Sequence, residues 1–282
     1  MAGVRPNALI DTASLAARLG TPGLKVVDAT WFLPTIPRDA RREYAEAHIP
    51  GAVYFDIDEV ADDASALPHM LPDPVKFSSR ARRLGLGDGT RIVVYDNNNY
   101  SASARVWWTV RLFGHPDVAV LDGGLAKWRA EGRPVTDEPV IPREAHFTAR
   151  QNNLLVRELE QMRANVLSRR EQVLDARARG RFAGTEPEPR QGLRGGHIPG
   201  SLNLPHLELL GADGTLLPAN ELRRRFAAAG VDLERPIVAS CGSGVTASTI
   251  ALALYQLGRD DVAVYDGSWS EWGGRSDTPV ET

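Results

Sequence analysis

The sequence contains the same four motifs twice, in the same order and at nearly the same spacing. The paired segments are KVVDATW and QVLDARA, AHIPGAVYFD and GHIPGSLNLP, RIVVYDNNNYSAS and PIVASCGSGVTAS, and VAVLDGGLAKW and VAVYDGSWSEW. Matching residues lie between 144 positions apart (Trp128 to Trp272) and 149 positions apart (His48 to His197). A repeat this long is not that of a solenoid, and it indicates two whole domains with one fold.

Each repeat alternates β-branched strand patterns with longer helical patterns. The predicted strands are KVVDA, RIVVYD and DVAVLDG in the first repeat, and QVLDA, PIVASC and DVAVYDG in the second. Helical stretches between them, SARVWWTVRLFG and TASTIALALYQLG, each end at a glycine. This alternation predicts an α/β fold in which each domain is a parallel sheet with helices on both faces. We expect domains at residues 1–135 and 154–282, joined by a proline-rich linker at 136–153.

Composition excludes several classes of protein. The 282 residues are 43% hydrophobic and 24% charged, with a net charge of −3 and a pI of about 6.1, which offers no basic field for nucleic acid. No apolar run approaches the roughly 20 residues that span a bilayer. The first twenty residues lack the continuous apolar segment of a signal peptide. A single cysteine suits a reducing compartment, so we expect a soluble, cytoplasmic protein.

That single cysteine, Cys241, lies between a predicted strand and a glycine-rich turn in SCGSGVTAS. A lone cysteine is either a small buried apolar residue or a reactive thiol. The carboxyl end of a parallel strand is where ligands bind in open α/β sheets. Gly242 and Gly244 let the backbone turn tightly around the sulfur, and a loop that feeds a helix can aim N–H groups at one anion. This context favours a reactive thiolate.

The first repeat has Asp96 where the second has Cys241, in the loop DNNNYSAS. A carboxylate cannot act as a sulfur nucleophile, so the first domain is expected to be catalytically inactive. His48 and His197 occur in both repeats, in the motif HIPG, and are therefore interpreted as structural residues of a turn. Trp128 and Trp272 are likewise expected to serve domain packing.

The two halves resemble tandem rhodanese domains over essentially the whole chain. The loop CGSGVTA is similar to that of the 3-mercaptopyruvate sulfurtransferases of this family, as are the segments RFAGTEPEPR, SALPHMLP and YDGSWSEWG. Thiosulfate sulfurtransferases usually have Arg and Lys at the positions of Gly242 and Ser243. The uncharged loop side chains favour a singly charged donor over the thiosulfate dianion. They also disfavour a cysteine phosphatase, which needs an arginine for phosphate.

The resemblance implies a role for each candidate site residue. Cys241 would carry a persulfide, and Arg181 and Arg190 would hold the substrate carboxylate. A relay of Asp58, His69 and Ser243 would protonate the leaving group; the alternatives are Asp56 in place of Asp58, or a solvated acidic loop. The backbone positions expected to line the substrate are Gly242, Gly244, Val245 and Thr246. Because Asp58 and His69 come from the first repeat, both repeats would contribute to the site.

The expected reaction moves sulfur from 3-mercaptopyruvate through the Cys241 persulfide to cyanide or a thiol acceptor, such as thioredoxin or a small thiol, and releases pyruvate. The alternatives are a thiosulfate:cyanide sulfurtransferase and a non-catalytic rhodanese module that carries sulfur or regulates. Neither a metal nor an organic cofactor is expected, because the sequence has no Cys/His ligand cluster and no G-x-G-x-x-G after a strand. Nucleic acid and membranes are not expected partners.

Overall fold

A computed structural model describes residues 7–282 and divides into two compact units. Residues 1–6, part of the N-terminal segment considered above for a targeting signal, lie outside the described residues. The first unit contains residues 7–60, Pro72–Gln151 and the short segment Ala212–Thr215. The second contains Ala61–Leu71, Asn152–Gly211 and Leu216–Thr282. Ala61–Leu71 thus belongs to the first half by sequence and to the second unit by packing.

The first unit is built on a five-stranded sheet in the order β1-β5-β4-β2-β3, in which all strand pairs are parallel. Its elements are β1 (Leu9–Ile10), α1 (Thr12–Ala16), β2 (Leu24–Asp28), α2 (Ala40–Glu46), β3 (Val53–Tyr54), α3 (Ile57–Val60), α4 (Pro74–Arg83), β4 (Arg91–Tyr95), α5 (Ser101–Leu112), β5 (Val118–Leu121) and α6 (Gly124–Ala130).

The second unit repeats this topology, with a parallel sheet in the order β6-β10-β9-β7-β8. Its elements are β6 (Val156–Arg157), α7 (Leu159–Ser168), β7 (Gln172–Asp175), α8 (Arg179–Phe182), β8 (Leu202–Asn203), α9 (Ala219–Ala228), β9 (Ile237–Ser240), α10 (Ala247–Gln256), β10 (Ala263–Tyr265) and α11 (Ser268–Trp272). Short 3-10 helices lie at Asn153–Leu155 and His206–Leu209. The predicted fold class, two α/β domains each with a parallel sheet, is confirmed.

The six strands predicted from β-branched runs are all present. Most of their side chains are buried, which is why these strands have continuous apolar patterns in the sequence. Every residue of β5, β7, β9 and β10 is buried, as is typical of strands covered on both sides. The two predicted helices are present as α5 and α10. Each is followed by a turn that contains a glycine with positive φ, Gly114 after α5 and Gly258 after α10. The helix after Cys241 begins at Ala247, slightly later than the sequence indicated.

The repeated HIPG motifs have a structural role in both units. The backbone of His48 pairs with Thr136, and that of His197 pairs with Glu281, in isolated antiparallel bridges. The Nδ1 atoms of the two histidines lie within hydrogen-bond distance of the Tyr44 and Phe182 carbonyl oxygens. Both imidazole rings also stack on an aromatic ring of the same residue that supplies the carbonyl. These contacts account for the repetition of the motif without any role in chemistry.

The repeated tryptophans anchor the two cores. Trp128 and Trp272 are fully buried, and their indole N–H groups donate to the carbonyls of Pro134 and Pro279. The segment expected to be a linker has no helix or strand between residues 137 and 152, yet Phe147 is fully buried against Phe77. Among residues 7–282, no helix is both long and apolar enough to cross a membrane.

Candidate active site

Cys241 follows β9 directly and begins the loop that leads into α10. Its thiol is not in a disulfide, and the residue is only 1% exposed. Gly244 has a φ of +76°, a conformation that non-glycine residues rarely adopt, so the tight turn expected from the sequence is present. The loop therefore places the sulfur at the carboxyl end of a central strand, where α/β sheets bind their ligands.

The start of α11 holds the cysteine loop by its backbone. The N–H of Cys241 donates to Ser268 Oγ at 3.2 Å, and the N–H of Trp269 donates to the Cys241 carbonyl at 2.9 Å. Ser270 donates to the Gly242 carbonyl twice, from its N–H at 2.8 Å and from its hydroxyl at 2.7 Å. These four bonds fix the backbone on either side of the thiol.

Sequence reasoning missed the two serines, although the repeat contained a signal for them. Ser268 and Ser270 stand where the first repeat has Gly124 and Ala126. Both Ser268 and Gly124 have positive φ, at +48° and +56°. A serine in this conformation is strained by about 1 kcal/mol, so its hydroxyl bond to the cysteine loop is the feature that explains it.

Arg181 and Arg190 both lie over the cysteine loop at Gly242. A Cβ built on Gly242 would be 3.0 Å from Arg181 Nη2 and 4.0 Å from Arg190 Nη1. The structure thus brings together the nucleophile's loop and the two arginines that the resemblance had placed at the substrate carboxylate. The short distance to Arg181 also explains why position 242 is a glycine, because a larger side chain there would crowd the guanidinium.

This arrangement corrects part of the charge argument made from the sequence. The loop side chains are indeed uncharged from Gly242 to Ala247. Positive charge nevertheless lies beside the loop, because the guanidinium groups of Arg181 and Arg190 come from another part of the chain. The neutrality of the loop alone therefore cannot set the preference for one donor, and the partners of these arginines become important.

Arg181 is held by Glu188, a carboxylate whose side chain is only 2% exposed. Glu188 Oε2 accepts from Arg181 Nη2 at 2.5 Å and from Nε at 3.2 Å, while Oε1 accepts from Arg177 Nη1 at 2.6 Å. Arg177 is fully buried and also donates to Asp175. Burial alone would lower the pKa of Arg177, but the two carboxylates more than compensate and raise it. The four side chains, three of them buried and Arg181 partly exposed, form a chain of alternating charge.

His69 packs with the second unit and contacts Arg190. Its Nε2 lies 3.1 Å from Arg190 Nη2, and the residue is 6% exposed with a φ of +60°. A guanidinium can only donate hydrogen bonds, so Nε2 is the acceptor in this contact. Nearby, the carboxylate of Asp266 accepts the N–H of Leu71 at 2.7 Å and fixes the end of the same segment.

The other members of the predicted relay are placed as follows. Ser243 is 5% exposed within the cysteine loop. Asp58 belongs to the first unit, where its Oδ2 accepts the indole N–H of Trp31 at 2.8 Å. Asp56, the alternative to Asp58, pairs with Arg41 at 3.0 Å. The relay of Asp58, His69 and Ser243 remains a prediction.

His206 is a further titratable group that the sequence did not single out. Burial lowers its pKa to about 4, and the positive charge of Arg181 acts in the same direction. Its ring is therefore neutral at neutral pH. The backbone N–H of His206 donates to the Ala176 carbonyl after β7 at 3.1 Å. No group of three or more His, Cys, Asp or Glu side chains in the described part of the chain is arranged to hold a metal ion.

Comparison with known proteins now places the chain. The model of the rhodanese-like domain matches residues 11–131 and 156–275, one match in each half of the sequence. The chain belongs to the rhodanese-like domain family.

Relatives named 3-mercaptopyruvate sulfurtransferase and relatives named thiosulfate sulfurtransferase have almost the same sequence identity to this chain. It is 48% identical to human 3-mercaptopyruvate sulfurtransferase over 260 residues, covering 91% of this chain and 87% of the relative. It is 47% identical to bovine thiosulfate sulfurtransferase over 283 residues, covering 98% and 94%. The crystal structure of SseA from Escherichia coli, described with the mechanism of 3-mercaptopyruvate sulfotransferases, matches with a TM-score of 0.86 at 38% identity and covers 93% of this chain and 99% of that one.

Proposed function

We propose that this chain is a 3-mercaptopyruvate sulfurtransferase that works through a persulfide on Cys241. The observation that carries the proposal is the position of Arg181 and Arg190 over Gly242, next to the one cysteine. Arginine suits a carboxylate because its planar group offers several N–H donors. A donor held by its carboxylate at these arginines would present its sulfur to the adjacent thiolate.

In the first half-reaction, the Cys241 thiolate attacks the sulfur of 3-mercaptopyruvate. An S–S bond forms, and the C–S bond breaks with its electron pair on carbon, which gives the enolate of pyruvate. One proton converts the enolate to pyruvate, and the enzyme retains the sulfur as a persulfide. In the second half-reaction, a thiolate or cyanide attacks the outer sulfur and restores the Cys241 thiolate.

The proton is proposed to come through Ser243, His69 and Asp58. The contact between Arg190 and His69 adds a constraint to this proposal. Because Nε2 accepts from the guanidinium, it can pass a proton to Ser243 only if Arg190 moves away. A carboxylate that draws Arg190 onto the substrate would release Nε2, so substrate binding and proton supply would be coupled at this histidine.

A thiosulfate:cyanide sulfurtransferase is the second candidate, and the similarity to the bovine enzyme of that name favours it. Overall identity cannot separate the two, since the values differ by only one percentage point. The family resemblance implies a difference beside the nucleophile, because this chain has the uncharged residues Gly242 and Ser243 at the positions where thiosulfate enzymes are expected to have cations.

Steady-state turnover with each donor, using cyanide and a small dithiol as acceptors, separates the candidates. We expect kcat/KM for 3-mercaptopyruvate to exceed that for thiosulfate by at least about tenfold, or ~1.4 kcal/mol of transition-state binding. A preference for thiosulfate would establish the second candidate. A chain that accepts sulfur on Cys241 but turns over neither donor would be a carrier or regulatory module.

A further inference from the structure

Glu188 occupies an unusual position for a glutamate. Its side chain is 2% exposed, and each of its two oxygens accepts from a different arginine, Arg177 and Arg181. Carboxylates are rarely buried this deeply unless they are paired, because the ion loses its hydration. The bonds to Arg181 use the edge formed by Nε and Nη2, which leaves the Nη1 end of that guanidinium for another ligand.

The charges of this group cancel. Asp175 and Glu188 are negative, and Arg177 and Arg181 are positive, so the four buried or half-buried side chains sum to zero. Arg181 Nη2 is nevertheless only 3.0 Å from a Cβ position on Gly242. A substrate carboxylate beside Gly242 would therefore meet N–H donors from Arg181, while Glu188 would balance much of the positive charge that attracts a second negative charge.

The first unit contains a related pair, Arg38 and Glu43, in which a second arginine, Arg129, acts on the carboxylate only through its charge among the described residues. Arg38 donates to Glu43 at 2.7 and 2.5 Å, and its Nη1 lies 3.5 Å from the carbonyl of Asn97, the residue that matches Gly242 in the repeat. Glu43 is 24% exposed, and it also accepts from the Asn97 amide rather than from another arginine. Within residues 7–282, a deeply buried carboxylate that is hydrogen-bonded to two arginines is thus present beside the cysteine loop and not beside its counterpart.

We propose that Glu188 is a positioning residue that sets donor specificity. It holds Arg181 over Gly242 and cancels its charge, so that the site favours a donor with one negative charge over the thiosulfate dianion. The inference rests on the proposed function, since it concerns the choice between two sulfur donors.

The test is the ratio of kcat/KM for thiosulfate to kcat/KM for 3-mercaptopyruvate. Glu188→Gln keeps the size of the side chain but removes its charge, and we expect this ratio to rise about tenfold. Glu186→Gln removes the same charge from an exposed residue of the same loop and should leave the ratio unchanged. Both activities are measured on one sample, so the ratio does not depend on how much of the protein is folded.

Two further variants separate charge from loss of structure. Arg177→Gln removes a positive charge from the same group of side chains, so the ratio of thiosulfate to 3-mercaptopyruvate kcat/KM should fall. If the substitutions acted only by loosening the structure of the site, Arg177→Gln and Glu188→Gln would shift this ratio in the same direction. Glu188→Asp keeps the charge and should preserve the ratio even where both rates decrease. If Glu188→Gln yields no folded protein, these two variants decide the question. An unchanged ratio in Glu188→Gln, or parallel shifts in Glu188→Gln and Arg177→Gln, would overturn the proposal.

Alkylation of Cys241 gives a readout that does not require sulfur transfer. Iodoacetate carries a negative charge and iodoacetamide does not, so the ratio of their rates reports the field at the thiol. This ratio should rise in Glu188→Gln and fall in Arg177→Gln. If the wild type uses neither donor, the proposed function fails while the alkylation ratios still decide the role of Glu188; unchanged ratios would then contradict it.

Discussion

The loops that follow β4 and β9 occupy the same place in the two units and differ in what fills them. In the first unit, the buried carboxylate of Asp96 accepts the N–H groups of Asn98 at 3.0 Å, Tyr100 at 3.2 Å and Ser103 at 2.8 Å. In the second unit, Cys241 replaces the aspartate. The residues at the corresponding sequence positions are Ser243, Val245 and Ser248, and the N–H of Ser248 donates to the Val245 carbonyl at 3.2 Å.

This difference suggests how one loop can serve both as structure and as a reaction site. The first loop contains its own carboxylate, which is covalently attached to the chain at Asp96. The second loop holds a sulfur atom that becomes an anion only as a thiolate or persulfide. A loop of this kind can bind an anion through its N–H groups. In the first unit the Asp96 carboxylate accepts those N–H groups, whereas in the second unit the loop surrounds the reactive Cys241 sulfur.

The largest expected effect comes from the cysteine itself. Cys241→Ser should reduce sulfur transfer by at least about a thousandfold, because the covalent intermediate can no longer form. With donor but no acceptor, wild-type protein should gain the mass of one sulfur, roughly 32 Da, and the variant should not. Asp96→Asn, the change at the matching position, is the control and should retain transfer. Near-normal turnover by Cys241→Ser would mean that the nucleophile is a different residue.

A substitution of Asp96 tests the structural role of the loop in the first unit. Asp96→Ala leaves three backbone N–H groups without their carboxylate, and we expect the free energy of unfolding to fall by about 2–4 kcal/mol. Urea unfolding followed by circular dichroism measures the loss. Sulfate should restore more stability to Asp96→Ala than it adds to wild type, because the emptied loop can accept an anion. An unaltered unfolding midpoint would show that the carboxylate does not stabilise this loop.

Much of this comparison was accessible from the sequence, for physical reasons. The internal repeat aligned Asp96 with Cys241, and the buried parallel strands on which both loops stand have continuous β-branched patterns. Two-residue strands such as β3 and β8 have no pattern to detect. Glu188 was also beyond prediction, since an acidic residue in a proline-rich loop is usually solvated. Its burial depends on two arginines that the fold brings to it.

Arg181 supplies a positive charge to the cysteine loop and tests whether the donor is held by a carboxylate. Arg181→Ala should lower kcat/KM for 3-mercaptopyruvate by about 10- to 150-fold, the loss of a charge-assisted bond worth about 1.5–3 kcal/mol. Glu188 keeps Arg177 as a partner in this variant, so the fold should be retained. Arg179→Ala, two residues away in α8 and 65% exposed, is the matched control. Equal kinetics in the two variants would remove Arg181 from the site.

The two loops also differ in the residues after the key position, Asn97 and Asn98 in one and Gly242 and Ser243 in the other. The double variant Gly242→Arg with Ser243→Lys should shift the donor ratio toward thiosulfate by at least about tenfold, or ~1.4 kcal/mol. The added charge favours the dianion, and the new side chain at position 242 crowds Arg181.

A control variant separates the charge from the crowding. Gly242→Ala with Ser243→Ala introduces a Cβ at position 242 and removes the hydroxyl at position 243, but adds no charge. It should slow 3-mercaptopyruvate turnover without improving thiosulfate turnover. If the charged double variant remains active with an unaltered donor ratio, charge next to the cysteine does not determine specificity.

The smallest expected effect concerns the strained serine that supports the cysteine loop. Ser268 has the left-handed conformation for which the first unit uses Gly124, and its hydroxyl accepts the N–H of Cys241. Ser268→Gly and Ser268→Ala both remove this bond, and each should lower kcat/KM by about fivefold, or ~1 kcal/mol. Only the glycine relieves the backbone strain, so Ser268→Gly should be more stable than Ser268→Ala by about 1 kcal/mol. Thermal unfolding and steady-state kinetics on the two variants measure these effects separately. Equal stability would argue against strain at this position, and unimpaired kinetics in both would mean that the hydroxyl does not position the nucleophile.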